Sequence, residues 1–277
     1  TGNGFLKRTV EEITAGIATQ EDKIGAITTY IKQNVSWDGT NRKFISKPLK
    51  KVLEEKKGSS AEINLLLAAM LDKAEIKVSP VLLSTRNHGF VRETTPISSQ
   101  FNYVICLAGV GEKTFLLDAT EKLLPTGMLP ERCLNGNGFV VSKEGYRWVK
   151  LQSTIKSRTV VNADLKLDGA GDLMGKLQID RSGYDALTNR KRYNSKDESE
   201  YVKDFLAGKS WEVTKTEISN VKDINQPLKE TYELIVNEHV VSTPDALYFN
   251  PLLMQRIEEN PFKLENREYP VDFSSPF

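Results

Sequence analysis

The residues best placed to do chemistry lie in Lys57-Gly58-Ser59-Ser60-Ala61-Glu62-Ile63-Asn64 and the apolar run that follows it to Leu71. Ser59 with Glu62 three residues on predicts a capping box, in which the Ser hydroxyl and the Glu carboxylate each satisfy an amide at a helix start. Ser60 then falls at the first helical position, beside unpaired N–H groups and the positive end of the helix dipole. A thiol at such a position would be activated as a nucleophile, because the dipole lowers its pKa. A serine hydroxyl is far less acidic and needs a partner base. Neither Cys106 nor Cys133 opens a helix, and the only histidines are His88 and His239. His88 lies in the polar stretch Thr85–Ser99 beside Gly89, where the plain expectation is a solvent-facing loop residue. No spacing of Cys and His suits a metal, and no cofactor motif is present: Asn135-Gly136-Asn137-Gly138 lacks the lysine and strand–helix context of a phosphate loop.

These residues need a helix and two strands to bring them together. Ile63, Leu66, Leu67, Met70 and Leu71 share one face of a core helix. Phe101–Leu107 reads as a strand, and Lys113–Leu117 as its hairpin partner, with Asp118 at the end. An Asp there can cap a turn, or it can sit in a cleft and take a donor from Tyr103, Asn102, Arg86 or Lys122. Upstream, 5–18 and 20–34 read as amphipathic helices, the second capped by Thr19, and Pro48 opens a short helix to Glu55. Trp37 suits either a cleft wall or a wedge between helices. Val78–Ser84 reads as a strand whose Pro80 places its start near a sheet edge. Ser60→Ala is expected to be close to neutral and Ser59→Ala to be costly.

The order of these motifs resembles the bacterial transglutaminase-like domain. Its pattern runs Gly-Asp-Cys-x-Asp at a helix start, Pro-Val-Leu, Phe-Asn-His on a strand and Leu-Asp-Ala-Thr on the next; this chain has Gly58-Ser59-Ser60, Pro80-Val81-Leu82, Phe101-Asn102-Tyr103 and Leu117-Asp118-Ala119-Thr120. The resemblance spans roughly 20–145. It implies an α+β, papain-like core in which Ser60, Tyr103 and Asp118 stand at the positions of a Cys-His-Asp triad. Two of the three are replaced, so no catalytic residue is expected. Trp37, Ser59, Ser60, His88, Asn102, Tyr103 and Asp118 become candidates for lining a binding cleft.

Beyond Leu151 the pattern changes to alternating strands and short helices, which divides the chain into 1–150 and a β-rich domain over 151–277. Strands are expected at 159–167, 173–179, 211–218 and 228–236, helices at 183–193 and 197–206, and irregular chain from Ala246 to Phe277. This part resembles a domain of unknown function that follows transglutaminase-like domains in envelope proteins of Gram-negative bacteria. Its cues are the Asp168-Gly169 hairpin, Gly183-Tyr184-Asp185-Ala186 and Arg267-Glu268-Tyr269-Pro270-Val271-Asp272-Phe273.

A net charge of +1 gives no field for nucleic acid or anionic membrane, and no apolar run reaches the roughly 18 residues of a membrane span. Two cysteines allow one Cys106–Cys133 disulfide or, more plainly, two separate buried thiols. The reading that follows is a non-catalytic module that binds or scaffolds a peptide, protein or glycan. The resemblance implies a periplasmic or secreted location, although the chain carries no signal peptide. The alternatives are a hydrolase or amidase using Ser60, one whose cysteine has been exchanged for serine in this chain, and a structural spacer between flanking domains.

Overall fold

The computed structural model describes residues 4–142, 145–153, 155–168, 171–237 and 239–254. The chain divides into two compact units, with the division between Ile155 and Lys156.

The first unit begins with a 3-10 turn, Gly4–Leu6, and α1, Lys7–Thr14. This helix stops short of the expected 18 because Gly16 enters the left-handed region at φ 74°. Helix α2, Gln20–Asn34, starts where Thr19 accepts a hydrogen bond from the Asp22 amide, and it buries Ile24, Ile27 and Ile31. The two-residue strand β1, Ser36–Trp37, helix α3, Leu49–Glu55, and strand β2, Lys57–Gly58, lead to α4, Ser60–Lys73. Strands β1 and β2 pair in parallel, Trp37 opposite Gly58, which sets Trp37 beside the start of α4. Gly58 lets the chain pass close to its neighbours: a Cβ there would come within 3.1 Å of both Val52 and Glu62, so a larger residue would have to displace them slightly.

The start of α4 is the expected capping box. The Glu62 amide donates to Ser59 Oγ and the Ser59 amide donates to Glu62 Oε2. The other oxygen, Oε1, accepts from the Ser46 amide and hydroxyl, so one carboxylate ties the helix start to the loop that precedes α3. Burial pushes the Glu62 pKa up, but the hydrogen bonds from Ser46 and Ser59 outweigh it and bring it down to about 2.

Helix α4 lies on an antiparallel sheet in the order β5-β4-β3-β6-β7, built from β3, Lys77–Leu83, β4, Tyr103–Val110, β5, Lys113–Leu117, β6, Asn137–Ser142, and β7, Gly145–Lys150. Ile63, Leu66, Leu67 and Met70 pack against Cys106, Ala108 and Leu117 with the apolar stripes of α1 and α2. Strand β3 is the middle of the sheet rather than an edge, yet its ladder to β6 holds only at Val81 and Leu82, just past Pro80. Both cysteines are buried, free thiols, so the Cys106–Cys133 disulfide is not formed.

The second unit is built on strands β8, Arg158–Leu167, and β9, Leu173–Ser182, helices α5, Gly183–Asn194, and α6, Glu198–Leu206, and strands β10, Trp211–Ser219, and β11, Leu228–Val236. Its antiparallel sheet runs β10-β11-β9-β8. Leu177, Ile179 and Leu234 form the core with Tyr232, whose ring stacks on Phe205 at 4.3 Å. The chain expected to be irregular from Ala246 includes a strand, β13, Leu247–Phe249, which pairs with β12, Val240–Ser242. The Arg267–Phe273 cue lies outside the described residues. Helices on an antiparallel sheet, followed by a further strand-rich unit, make the α+β architecture that the sequence patterns imply.

The capping box gives a pH-dependent test. Because the folded Glu62 pKa lies below its ordinary 4.5, its contribution is present above that value and is lost as pH falls through about 2. Denaturant unfolding of Glu62→Gln should show a flatter decline than the parent between those limits, and Ser59→Ala should lose about 1 kcal/mol at neutral pH.

Candidate functional site

Asp118 and Tyr103 meet, as the resemblance implies, and both are almost sealed from solvent, at 2% and 0% exposure. The Tyr103 hydroxyl donates to Asp118 Oδ2 at 2.8 Å. The same oxygen accepts from Asn64 Nδ2 at 2.9 Å, and Oδ1 accepts from the Thr120 amide at 2.8 Å and from the Thr120 hydroxyl. Asn64 sits one helical turn after Ser60 on α4, and its side chain also donates to Val104 O and accepts from the Ala119 amide. One amide side chain thus joins α4, β4 and the end of β5. It is the polar position in an otherwise apolar run, which was the available signal for it.

Arg132 completes the cluster from a 3-10 turn, Glu131–Cys133. Each hydroxyl has a single proton, and those of Tyr103 and Thr120 are both directed at Asp118. Their lone pairs remain, and Arg132 Nη2 donates to both oxygens. The guanidinium carbon lies 4.1 Å from the Trp37 ring centroid, a cation–π contact, and Arg132 Nε is buried without a partner. Trp37 is therefore the wall against which Arg132 is held. Cys133 is buried beside this group, and burial, reinforced by Asp118, pushes its thiol well above its ordinary value. Burial and the adjacent Asp118 likewise hold the Tyr103 phenol protonated. Nothing in the sequence pointed to Arg132, which lies in a stretch without periodicity.

Ser60 is fully buried and is turned toward the β1–α3 loop. Its hydroxyl donates to Arg42 O at 2.9 Å and accepts from the Arg42 amide at 2.8 Å, while its own amide donates to Thr40 O. Thr40 O also accepts from Trp37 Nε1. The helix start that would have presented a nucleophile is covered by backbone, and Ser60 anchors that loop, which argues against the expectation that Ser60→Ala is close to neutral. Ser59 serves only as the cap.

The other two candidates go elsewhere. His88 is exposed, and its Nδ1 contacts the Ser84 hydroxyl at 3.0 Å. Asn102 accepts from the Thr85 amide and donates to the Thr85 hydroxyl, bracing the turn after β3. Neither makes a hydrogen bond to Ser60, Tyr103 or Asp118. Of the remaining donors weighed for Asp118, Arg86 donates to Leu134 O and Lys122 to Ser36 Oγ. A further group, absent from the sequence reading, is Lys32 on α2. Its Nζ is buried and donates to Leu124 O at 2.7 Å. Burial lowers its pKa from 10.5 to about 8, against the pull of Asp118 and Glu121. Among the described residues no group of three or more His, Cys, Asp or Glu is arranged to hold a metal ion.

The profile of the Transglutaminase-like superfamily matches residues 7–100, which include Ser60 and stop short of Tyr103 and Asp118. No curated protein matches. Two solved structures are similar at a distance. A protein from Cytophaga hutchinsonii assigned as a cysteine protease shares 19% identity, covering 43% of this chain and 37% of its own, with a TM-score of 0.33. A protein from Parabacteroides distasonis assigned as a protease shares 12% identity over 86% of this chain and 50% of its own, with a TM-score of 0.41. This chain thus spans half or less of the length of each. The N-terminal unit has a transglutaminase-like fold.

Two substitutions report on the cluster. Tyr103→Phe removes the donor to Asp118 and should cost about 1–3 kcal/mol in thermal or denaturant unfolding, and Ser60→Ala, which strips both partners from Arg42, about 1–2 kcal/mol. An unchanged Ser60→Ala protein would show that Arg42 regains its hydrogen bonds from water. Lys32 gives a separate alkaline signature. Its folded pKa is depressed, so its contribution is complete above 10.5 and is lost as pH falls through about 8. Stability should therefore rise across that interval, and Lys32→Met should abolish the rise.

Proposed function

We propose that the N-terminal unit is a catalytically inert transglutaminase-like module that acts through its surfaces, binding or scaffolding a peptide, protein or glycan. The observation that carries this reading is the saturation of Asp118. Its oxygens are engaged by Tyr103, Asn64 and Thr120, where an active triad would need an imidazole with an accessible, exchangeable proton. A tyrosine held protonated cannot accept a proton from Ser60, and no hydrogen bond links the two. Ser60 is in turn committed to Arg42 and closed to a substrate carbonyl. A hydrolase reading through Ser60 therefore lacks both the base and access.

A periplasmic or secreted setting belongs to this proposal and rests on the family resemblance. No helix among the described residues is long and apolar enough to cross a membrane. The closed cluster also makes the spacer reading a serious second one, because a site filled by its own side chains offers rigidity in place of a cleft. The two readings differ in whether ligand contacts occur on the outer faces of the unit.

Amide hydrolysis and transamidation assays with a peptide library and a primary amine should give no turnover above the buffer rate. Any turnover that disappears in Ser60→Ala, in a protein shown by circular dichroism to stay folded, would overturn the proposal.

A further inference from the structure

The sheet of the first unit contains a second feature, unrelated to the buried cluster and independent of whether that cluster is catalytic. Strands β3 and β6 pair at Val81 with Val140 and at Leu82 with Phe139. Continuing that register would set Pro80 against Val141 and Ser79 against Ser142. Proline has no N–H to give to the ladder, and the recorded pairing stops there. The strands part, and the gap is a pocket of about 250 Å³.

Its lining follows from strand alternation. Lys77, Ser79 and Val81 share one face of β3, and the cross-strand pairs Val81–Val140 and Val140–Arg147 place Val140, Ser142 and Arg147 on the same face. Val140 is buried and forms the floor. Lys77, Ser79, Ser142 and Arg147 surround it, with Tyr146 at the rim, and among the described residues no acidic side chain lines the pocket. Neither Lys77 nor Arg147 makes an ion pair with a described residue. Six other cations of the first unit, Lys7, Arg8, Lys47, Lys50, Lys51 and Lys113, do lie against a glutamate. The Ser142 hydroxyl donates to Gly145 O at 3.0 Å, a local contact from which it can rotate.

We propose that this notch is an oxyanion-binding site. It would take a carboxylate, or a phosphoryl or sulfuryl group, between the Lys77 ammonium and the Arg147 guanidinium. The guanidinium offers a planar fork matched to such groups and the ammonium a compact charge. The Ser79 and Ser142 hydroxyls donate to the remaining oxygens, and the ligand's chain leaves past Tyr146 into solvent.

The test is a titration of the full chain, followed by amide shifts in two-dimensional NMR. Inorganic phosphate and acetate are added separately, with ionic strength held constant by sodium chloride. Saturable shifts centred on Lys77, Ser79, Ser142 and Arg147 support the proposal. Saturation by phosphate alone assigns the site to phosphoryl or sulfuryl groups, and saturation by acetate alone assigns it to carboxylates. Replacing both cations, Lys77→Ala with Arg147→Ala, should weaken binding about tenfold or more, the loss expected for a charge-assisted hydrogen bond. Arg147→Lys should retain part of it. Both side chains are exposed, so the variants should fold, and the unshifted remainder of the spectrum verifies this. No saturable response to either anion, an equal response to chloride, or undiminished affinity in the double variant would overturn the assignment.

Discussion

The first unit depends on how a carboxylate is kept inside it without a hydrogen-bonded cation. Asp118 sits at the end of β5, and removing it from water would cost several kcal/mol if its oxygens were left unpaired. Three side chains and one amide prevent this, and they come from α4, β4 and the turn that follows β5. The same contacts fix the position of α4 on the sheet through Asn64, and they orient the Tyr103 and Thr120 oxygens toward Arg132. What the fold has here is a set of donors drawn from separate elements, each directed at an Asp118 oxygen.

The second unit meets a comparable demand by different means. Glu230, 1% exposed, forms a two-point ion pair with Arg181 and accepts from the Tyr201 and Tyr232 hydroxyls. A buried acid neutralised by a guanidinium and capped by phenols is a strongly held group, although such pairs add less net stability than their Coulombic strength suggests. Arg190, equally buried, makes no ion pair among the described residues and collects the carbonyls of Asn220, Asp223 and Gln226. It thereby closes the loop between β10 and β11 from within.

Much of this was legible in the sequence because it is written in local patterns. The Ser59–Glu62 box, the Thr19 cap, the hairpin of β4 and β5 and the strands of the second unit follow from spacing over a few residues. The meeting of Tyr103 and Asp118 came from the order of distant motifs. The contacts that decide the chemistry were not legible, since they are tertiary and carried by residues without a pattern. Arg132 lies in irregular chain, Lys32 occupies an ordinary position on a helix, and the Ser60–Arg42 contact spans 18 residues through backbone atoms of a loop. Pro80 was a correct warning of a break in pairing, but the break falls inside the sheet, where β6 departs from β3, because one strand side can be open while the other is fully paired.

The Ser60 hydroxyl holds the Arg42 backbone by both of its hydrogen-bonding functions, and this sets what the position tolerates. A cysteine here would place a larger sulfur, a weaker donor and acceptor, against a peptide unit shaped around oxygen. The loop over the helix start would have to move to admit it, and the Arg42 amide and carbonyl would each lose a strong partner. The side chain that opens the helix is thus chosen by the loop that covers it.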